Sequence, residues 1–356
     1  MTSLVPPSPK CTFAPSQSGV FGHSPAMASR PPDRIPAPDL IEALLTDWFE
    51  APTLLFSSGR GACHVFLTEM GLHKYQHTIA VPAFLSRCIL NALTLNAFPV
   101  RGIQADAVFY YHQYGFRLRS GPRESLVVED ACHAFFSRPA SGARSWCGQA
   151  AVISLPKFFV TYGPVGALVL PDVLTAERVR ARRDAAEEID PVLAAWQRNV
   201  IIDATNRGRQ SPMFHLLDSA YALLTEYPKV DPEALAGFPT NLSELAAIGA
   251  LRRARLEVFV EGLNDAFPYF MLENGMDDLP YALPYFGSGD REILAKINSA
   301  LNLLGVHSGI YSVDVARSLY NPDYRPCVLL PCHQEIPIEC VKDLCKVIQE
   351  ANGVKR

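Results

Sequence analysis

Four short apolar runs, "DAVFYY" (106–111), "SLVV" (125–128), "AAVI" (150–153) and "GALVL" (166–170), set the first limit on how this chain folds. Each is bounded by turn-forming residues. Short continuous apolar runs are what strands covered on both faces require, because neither side of the pleat meets water. "TLLF" (53–56) and "TIAV" (78–81) read as further strands. Around them lie stretches with helical spacing: "DLIEALLTDWF" (39–49) with Asp39 as its N-cap, the run from "SSGRGA" through Met70, and "SRCILNALTL" (86–95). Strands alternating with helices predict a layered α/β sheet, although the runs do not specify strand order.

After Asp172 the texture changes to long helices. "TAERVRARRDAAEEI" (175–189) reads as the solvated face of one, and "NLSELAAIGALRRARLEVFVEGLNDAF" (241–267) is long enough for a major helix. The end, "CVLLPCHQEIPIECVKDLCKVIQEA" (327–351), predicts a small α/β unit. The expected organisation is a disordered Pro/Ser-rich segment over 1–36, a large domain over 37–228, and a long helix with a small C-terminal domain over 229–356.

Composition removes several function classes. A net charge of −4 leaves no basic footprint, so nucleic acid is not an expected partner. No uninterrupted run of ~18 apolar residues occurs, so no membrane span is expected. The nine cysteines lack disulfide-framework spacing, and no signal peptide is visible. They are expected as reduced thiols, which places the chain in a cytoplasm.

Lys157 stands in "ISLPKFF", between an apolar run and two phenylalanines. Either its stem lies over apolar neighbours while the ammonium reaches water, or it is a reactive amine held partly out of water. Pro156 ahead of it favours an extended Leu155 and a strand running up to the lysine. Three earlier stretches bear on the choice. "FSSGRGAC" (56–63) is a Gly-containing turn at a helix start, either a plain junction or an anion cradle in which Gly59 and Gly61 allow close approach. "VVEDACHA" (127–134) ends a strand in two acids, where an aspartate either caps a helix or faces a ligand. "FYYHQYG" (109–115) is another polar strand end, whose His112 could equally be a core histidine. Two metal constellations compete weakly. Cys327, Cys332, His333, Cys340 and Cys345 contain no C-x-x-C pair and read as buried cysteines, and His73 and His77 read as exposed histidines.

Taken in order, these stretches resemble fold-type-I pyridoxal phosphate (PLP) enzymes, and most closely the DegT/StrS-type sugar aminotransferases. The landmarks are "SSGRGA", "VPAF" (81–84), "VFYYHQYG" (108–115), "VEDACHA" (128–134), "SLPK" (154–157), "TNLSELAAIGAL" (240–251) and "VLLPCHQEIPIECV" (328–341). The resemblance implies a three-layer α/β/α fold with a smaller C-terminal α/β domain. It implies that Lys157 carries pyridoxal 5′-phosphate covalently and that Asp130 pairs with its ring nitrogen. His133 would contact the ring hydroxyl, Phe84 would stack on the ring, and Ser58, Gly59, Arg60, Gly61 and Ser154 would hold the phosphate. Asn241 would reach the phosphate from a partner subunit, making a homodimer. The implied reaction passes an amino group, expected from glutamate, to a keto group of a sugar or similar polar metabolite. The alternatives are same-fold dehydration, cyclisation or carbon–carbon bond formation, or a degenerate homologue kept for binding. Arg60 stands where the family usually has Thr or Ser, the connections after Val100 and Gly115 are short, and Pro164-Val165 replaces a common Gly pair.

Overall fold

The computed structural model describes residues 25–31, 33–101, 104–118, 126–137, 148–263, 279–287, 289–306 and 308–352. Most of the N-terminal segment expected to be disordered lies outside them. Its described end is tied down: Met27 exchanges hydrogen bonds of 2.9 and 2.8 Å with the Asn206 side chain, and Ala28 N–H donates to Thr161 O at 2.9 Å.

The strands are β1 (Thr53–Phe56), β2 (Thr78–Ala80), β3 (Phe98–Val100), β4 (Ala107–Tyr111), β5 (Leu126–Asp130), β6 (Ala150–Ser154) and β7 (Gly166–Val169). They form one sheet in the order β1-β7-β6-β5-β4-β2-β3. Neighbours are parallel from β3 through β6, and β7 runs antiparallel to both β6 and β1. A second sheet, β8 (Ala282–Tyr285), β10 (Tyr324–Pro331) and β9 (Ile310–Asp314), is wholly antiparallel.

Alternation along the strands explains the layering. Leu55, Ala151, Ile153, Ala167 and Val169 enter one core, while Leu54, Phe56, Ala150, Val152 and Leu168 enter another. Successive strand side chains point to opposite faces, so a run that is apolar throughout must be covered twice. Helices α2 (Gly59–Glu69), α3 (Arg87–Leu93) and α4 (Val173–Asp184) cover the second face. The first is covered by α1 (Pro38–Phe49) and by α7 (Leu242–Gly262), into whose core the small sheet and the helices at 291–303 and 338–351 also pack. Helices α5 (Pro191–Arg207) and α6 (Leu217–Glu226) form a further cluster with Met27.

Three local expectations are corrected. Asp39 does not cap α1: Pro38 opens the helix, Ala37 is the N-cap, and Asp39 lies in the first turn. The charged α4 is not simply a solvated face, since Arg180 and Arg183 pair with buried Glu42, and Arg178 and Arg182 with Glu69. Cys340 is disulfide-bonded, whereas Cys63, Cys88, Cys132, Cys327, Cys332 and Cys345 are free thiols. Among the described residues no helix is long and apolar enough to cross a membrane.

Gly166 is where the sheet and the glycine turn meet. It pairs with Ser154 on one side and Phe56 on the other, and a Cβ there would lie 2.2 Å from Gly59 N and from Ser58 C. Gly166→Ala must therefore displace backbone. We expect a loss of about 1–3 kcal/mol in urea denaturation, the usual range for overpacking. An unchanged midpoint would show that the turn moves aside freely.

Candidate active site

The parallel strands β4, β5 and β6 end side by side, with Tyr111 in register with Asp130 and Asp130 with Val152. Ligands of open α/β sheets lie outside such carboxyl ends. Asp130 is 7% exposed, and its Oδ1 accepts from Cys132 N–H at 3.0 Å. Its charge reaches its neighbours. Burial first, and Asp130 second, hold the Tyr111 phenol and the Cys63 and Cys132 thiols far above their ordinary values, so all three stay neutral.

Beyond β6 the chain turns at once. Leu155–Lys157 is a single 3₁₀ turn with Pro156 in its first positions, so Leu155 is not the extended residue expected from the proline. Proline suits a helical first turn as well as an extended neighbour, and here the turn wins. It delivers Lys157 Nζ to 2.7 Å from His133 Nε2 and 5.8 Å from the centre of the Tyr281 ring. His133 lies in the turn after β5 and is buried. Its ring stacks on Tyr281 (4.4 Å, 6°) and Tyr114 (5.6 Å, 13°), and its Nδ1 meets the Tyr111 hydroxyl at 2.8 Å.

The glycine turn lies at the same end of the sheet, since it follows β1, which is parallel to β6 through β7. Ser58 is the buried N-cap of α2 and accepts from Gly61 N–H at 3.1 Å. Ser57 ties the turn to the end of α6 through Leu224 O and Pro228 O. Gly59 and Gly61 are crowded: a Cβ would meet Val152 Cγ1 at 2.9 Å and Leu224 O at 2.6 Å respectively. Arg60 places its guanidinium 3.7 Å over the Tyr221 ring, and its buried Nη1 has no hydrogen-bond partner among the described residues. With His64, Cys88, Asn91 and Asp218 it lines a cavity of about 350 Å³.

The remaining expected residues are more dispersed. Ser154 ends β6 and is half-buried. Phe84 is exposed, packs edge-on against Tyr324 at 4.6 Å, and shares a small cavity with Tyr111, Gln113 and Arg317. Asn241 is the exposed N-cap of α7, accepting from Glu244 N–H at 3.0 Å while the Glu244 carboxylate receives Thr240 N–H at 2.8 Å. This resembles a capping box, except that Glu244 reaches back to the residue before the N-cap. His112 is a core residue, bonded to Glu129 at 2.6 Å and to Leu118 N–H at 3.1 Å. His73 and His77 pack on each other at the surface. Cys327, Cys332, His333, Cys340 and Cys345 are buried.

Several contributors carry no readable signal in the sequence. Tyr111 and Tyr114 lie inside a landmark but are not its marked positions. Tyr281 follows the 264–278 stretch and belongs to no motif. Arg252, fully buried on α7, sets its guanidinium 4.8 Å over Phe158 and donates to Tyr281 O (3.0 Å), Pro280 O (3.3 Å) and Gln334 Oε1 (3.3 Å). Gln334 in turn donates to Phe158 O at 2.7 Å. Both the residue after Lys157 and the ring stacked on His133 are thereby anchored to α7.

A lysine amine, a buried strand-end carboxylate, a buried histidine and a helix N-terminus with crowded glycines, all at one end of the sheet, suit a phosphorylated aldehyde with a basic ring nitrogen. The comparisons agree. Residues 46–209 match the family described as "Putative PLP-dependent aminotransferase". No curated protein matches the chain. Among solved structures, a DegT DnrJ EryC1 StrS aminotransferase from Brucella abortus has a TM-score of 0.60 at 15% identity, covering 90% of this chain and 92% of that one. DesV of S. venezuelae has 0.60 at 17%, covering 91% and 92%. PseC of Helicobacter pylori, an aminotransferase involved in the biosynthesis of pseudoaminic acid, has 0.59 at 13%, covering 94% and 100%. At such identities the likeness establishes the fold, which is the three-layer one expected from the sequence. Residues 46–209 thus resemble the PLP-dependent aminotransferases in sequence, and the chain as a whole has the fold of the DegT/DnrJ/EryC1/StrS enzymes.

Proposed function

We propose that this protein is a PLP-dependent aminotransferase that takes an amino group from glutamate and passes it to a keto group of a sugar or similar polar metabolite. The observation that carries the reading is the convergence of Lys157, His133 and Asp130 at the ends of neighbouring strands. When bound, PLP supplies an electron sink for the carbanion formed at the donor's α-carbon. The chain supplies the rest. Lys157 Nζ holds the cofactor and then takes the proton leaving that carbon. The Asp130 carboxylate favours a protonated ring nitrogen, because an opposite charge within hydrogen-bond reach stabilises the charged form. His133 Nε2 orients the ring hydroxyl. Ser58, Gly59, Gly61 and the start of α2 bind the phosphate, with Ser154 beside them and the Arg60 cation close by.

The acting unit is a homodimer in this reading, with Asn241 reaching the partner's phosphate and the chain working in a cytoplasm. Its support is the surface of α7, whose first half is mostly exposed and presents Leu242 and Leu251 to solvent. In this reading the chain divides into a large domain over 37–228 and a small one over 229–356, supported by the fact that β1–β7 and β8–β10 form separate sheets.

Borohydride reduction of the PLP-loaded protein, followed by peptide mapping, should place a pyridoxyl group on Lys157. L-glutamate without an acceptor should then release one equivalent of 2-oxoglutarate. Label on a different lysine would refute the site. Consumption of substrate with no amino donor yielding its keto acid would replace transamination with another PLP chemistry. Asp130→Asn should retain the cofactor but slow the first half-reaction by roughly 10²–10⁴-fold, the range for losing a preorganised electrostatic partner. Wild-type turnover in that variant would mean that another acid serves the ring.

A further inference from the structure

We infer that Tyr111 and the backbone of Tyr114 lock His133 into one tautomer, the one that presents Lys157 Nζ with a hydrogen-bond donor and so orients the lone pair of its amine. This rests on the proposed cofactor site and adds two positioning residues to it.

Among the described residues two groups meet His133 Nδ1. One is the Tyr114 backbone N–H at 3.3 Å, the other the Tyr111 hydroxyl at 2.8 Å. A backbone N–H can only donate, so Nδ1 must offer a lone pair. A neutral imidazole with a bare Nδ1 carries its proton on Nε2. An imidazolium is excluded by the same contact, since its Nδ1–H would face the Tyr114 N–H. The proton on Nε2 points at Lys157 Nζ, 2.7 Å away. An ammonium has three donors and no acceptor, so it cannot complete this bond, whereas a neutral amine accepts through its lone pair. That lone pair is what attacks an aldehyde.

The surroundings are arranged to keep this lock closed. Tyr114 adopts a left-handed conformation, φ 55°, rare for a residue with a side chain. The conformation aims its N–H at Nδ1 while its ring lies on the imidazole. Gly115 follows at φ 97°, and a Cβ there would lie 2.6 Å from His133 O. The titratable groups facing the pair are Tyr111 from β4, Asp130 and Cys132 from the end of β5, Tyr114 from the turn after β4, and Tyr281 before β8. Burial keeps the Tyr111 phenol protonated, so it remains able to donate to Nδ1 across the physiological range.

The test reads the tautomer directly and needs no cofactor. Protein labelled with [15N]histidine, with the His133 resonances assigned by their loss in His133→Gln, should show an Nε2–H, bare-Nδ1 ring at pH 7.5. An Nδ1–H ring or an imidazolium at that pH overturns the proposal. Tyr111→Phe leaves the longer Tyr114 contact on Nδ1, so a fraction of the second tautomer should appear, and labelling of Lys157 by an amine-selective reagent at pH 7.5 should fall roughly three- to tenfold, the worth of one hydrogen bond. A Tyr111→Phe protein with wild-type tautomer and labelling profile removes Tyr111 from the lock. An Nε2–H ring together with a pyridoxyl group mapped to another lysine supports the lock while refuting the cofactor reading, so the two fail separately.

Discussion

The backbone of Gly166 pressed against Ser58 and Gly59 is the contact on which the rest of this structure depends. Gly166 stands between the last residue of β1 and the last residue of β6, and each of those strand ends opens one half of the candidate site. From Phe56 the chain enters the glycine turn and α2; from Ser154 it enters the 3₁₀ turn that carries Lys157. An antiparallel β7 inserted between them lets both strands finish at the same level. The absence of a side chain on Gly166 then lets the turn lie on the strand. Close backbone approach of this kind is open only to glycine. Ser57 closes the arrangement from the other side by bonding to the end of α6.

A second layer of constraint comes from α7. Among the described residues the hydrogen bonds of buried Arg252 go to the carbonyls of 280–281 and to Gln334, none of them a carboxylate. Burial works against its charge, yet a guanidinium stays protonated in proteins. Its hydrogen bonds therefore have to be kept, which fixes Tyr281 relative to Phe158. Tyr281 stacks on His133 and Phe158 follows Lys157, so a helix far away in sequence sets the spacing of the reactive pair.

The sheet was legible because its strands are covered on both faces, and unbroken apolar runs are hard to mistake. The order of strand ends was legible too: Asp130 ends β5 and His133 follows it, Lys157 follows β6 and the Ser58–Gly61 turn follows β1, all at one end of the sheet. What escaped were contacts made across long sequence separations. No local pattern tells that Tyr281 meets His133 or that Arg252 reaches past 280, because such pairings exist only after the small sheet has packed. The proline misled for a different reason. Pro156 fits both an extended preceding residue and the first turn of a helix, and only the tertiary demand for a turn at Lys157 decides between them. No local pattern tells, either, that Phe84 packs edge-on against Tyr324.

The electrostatics of the site now form one argument. Burial and Asp130 keep Tyr111, Cys63 and Cys132 neutral, and the hydrogen-bond pattern at His133 keeps the imidazole neutral as well. Glu129 is taken up by His112, which leaves the Asp130 carboxylate, suited to a ring nitrogen but not to a phosphate. The charge of a phosphate has to be met on the other side of Gly166, by the N–H groups opening α2. Arg60, one of the residues that depart from the family pattern, is the cation nearest that turn in sequence, and Tyr221 holds its guanidinium by its face while Nη1 has no hydrogen-bond partner among the described residues. Where a Thr or Ser would give a hydroxyl, this chain gives a charge beside the cradle. Negative charge at the ring end and positive charge at the turn are then separated by the sheet edge that Gly166 closes, and a ligand with a basic nitrogen at one end and a phosphate at the other can satisfy both.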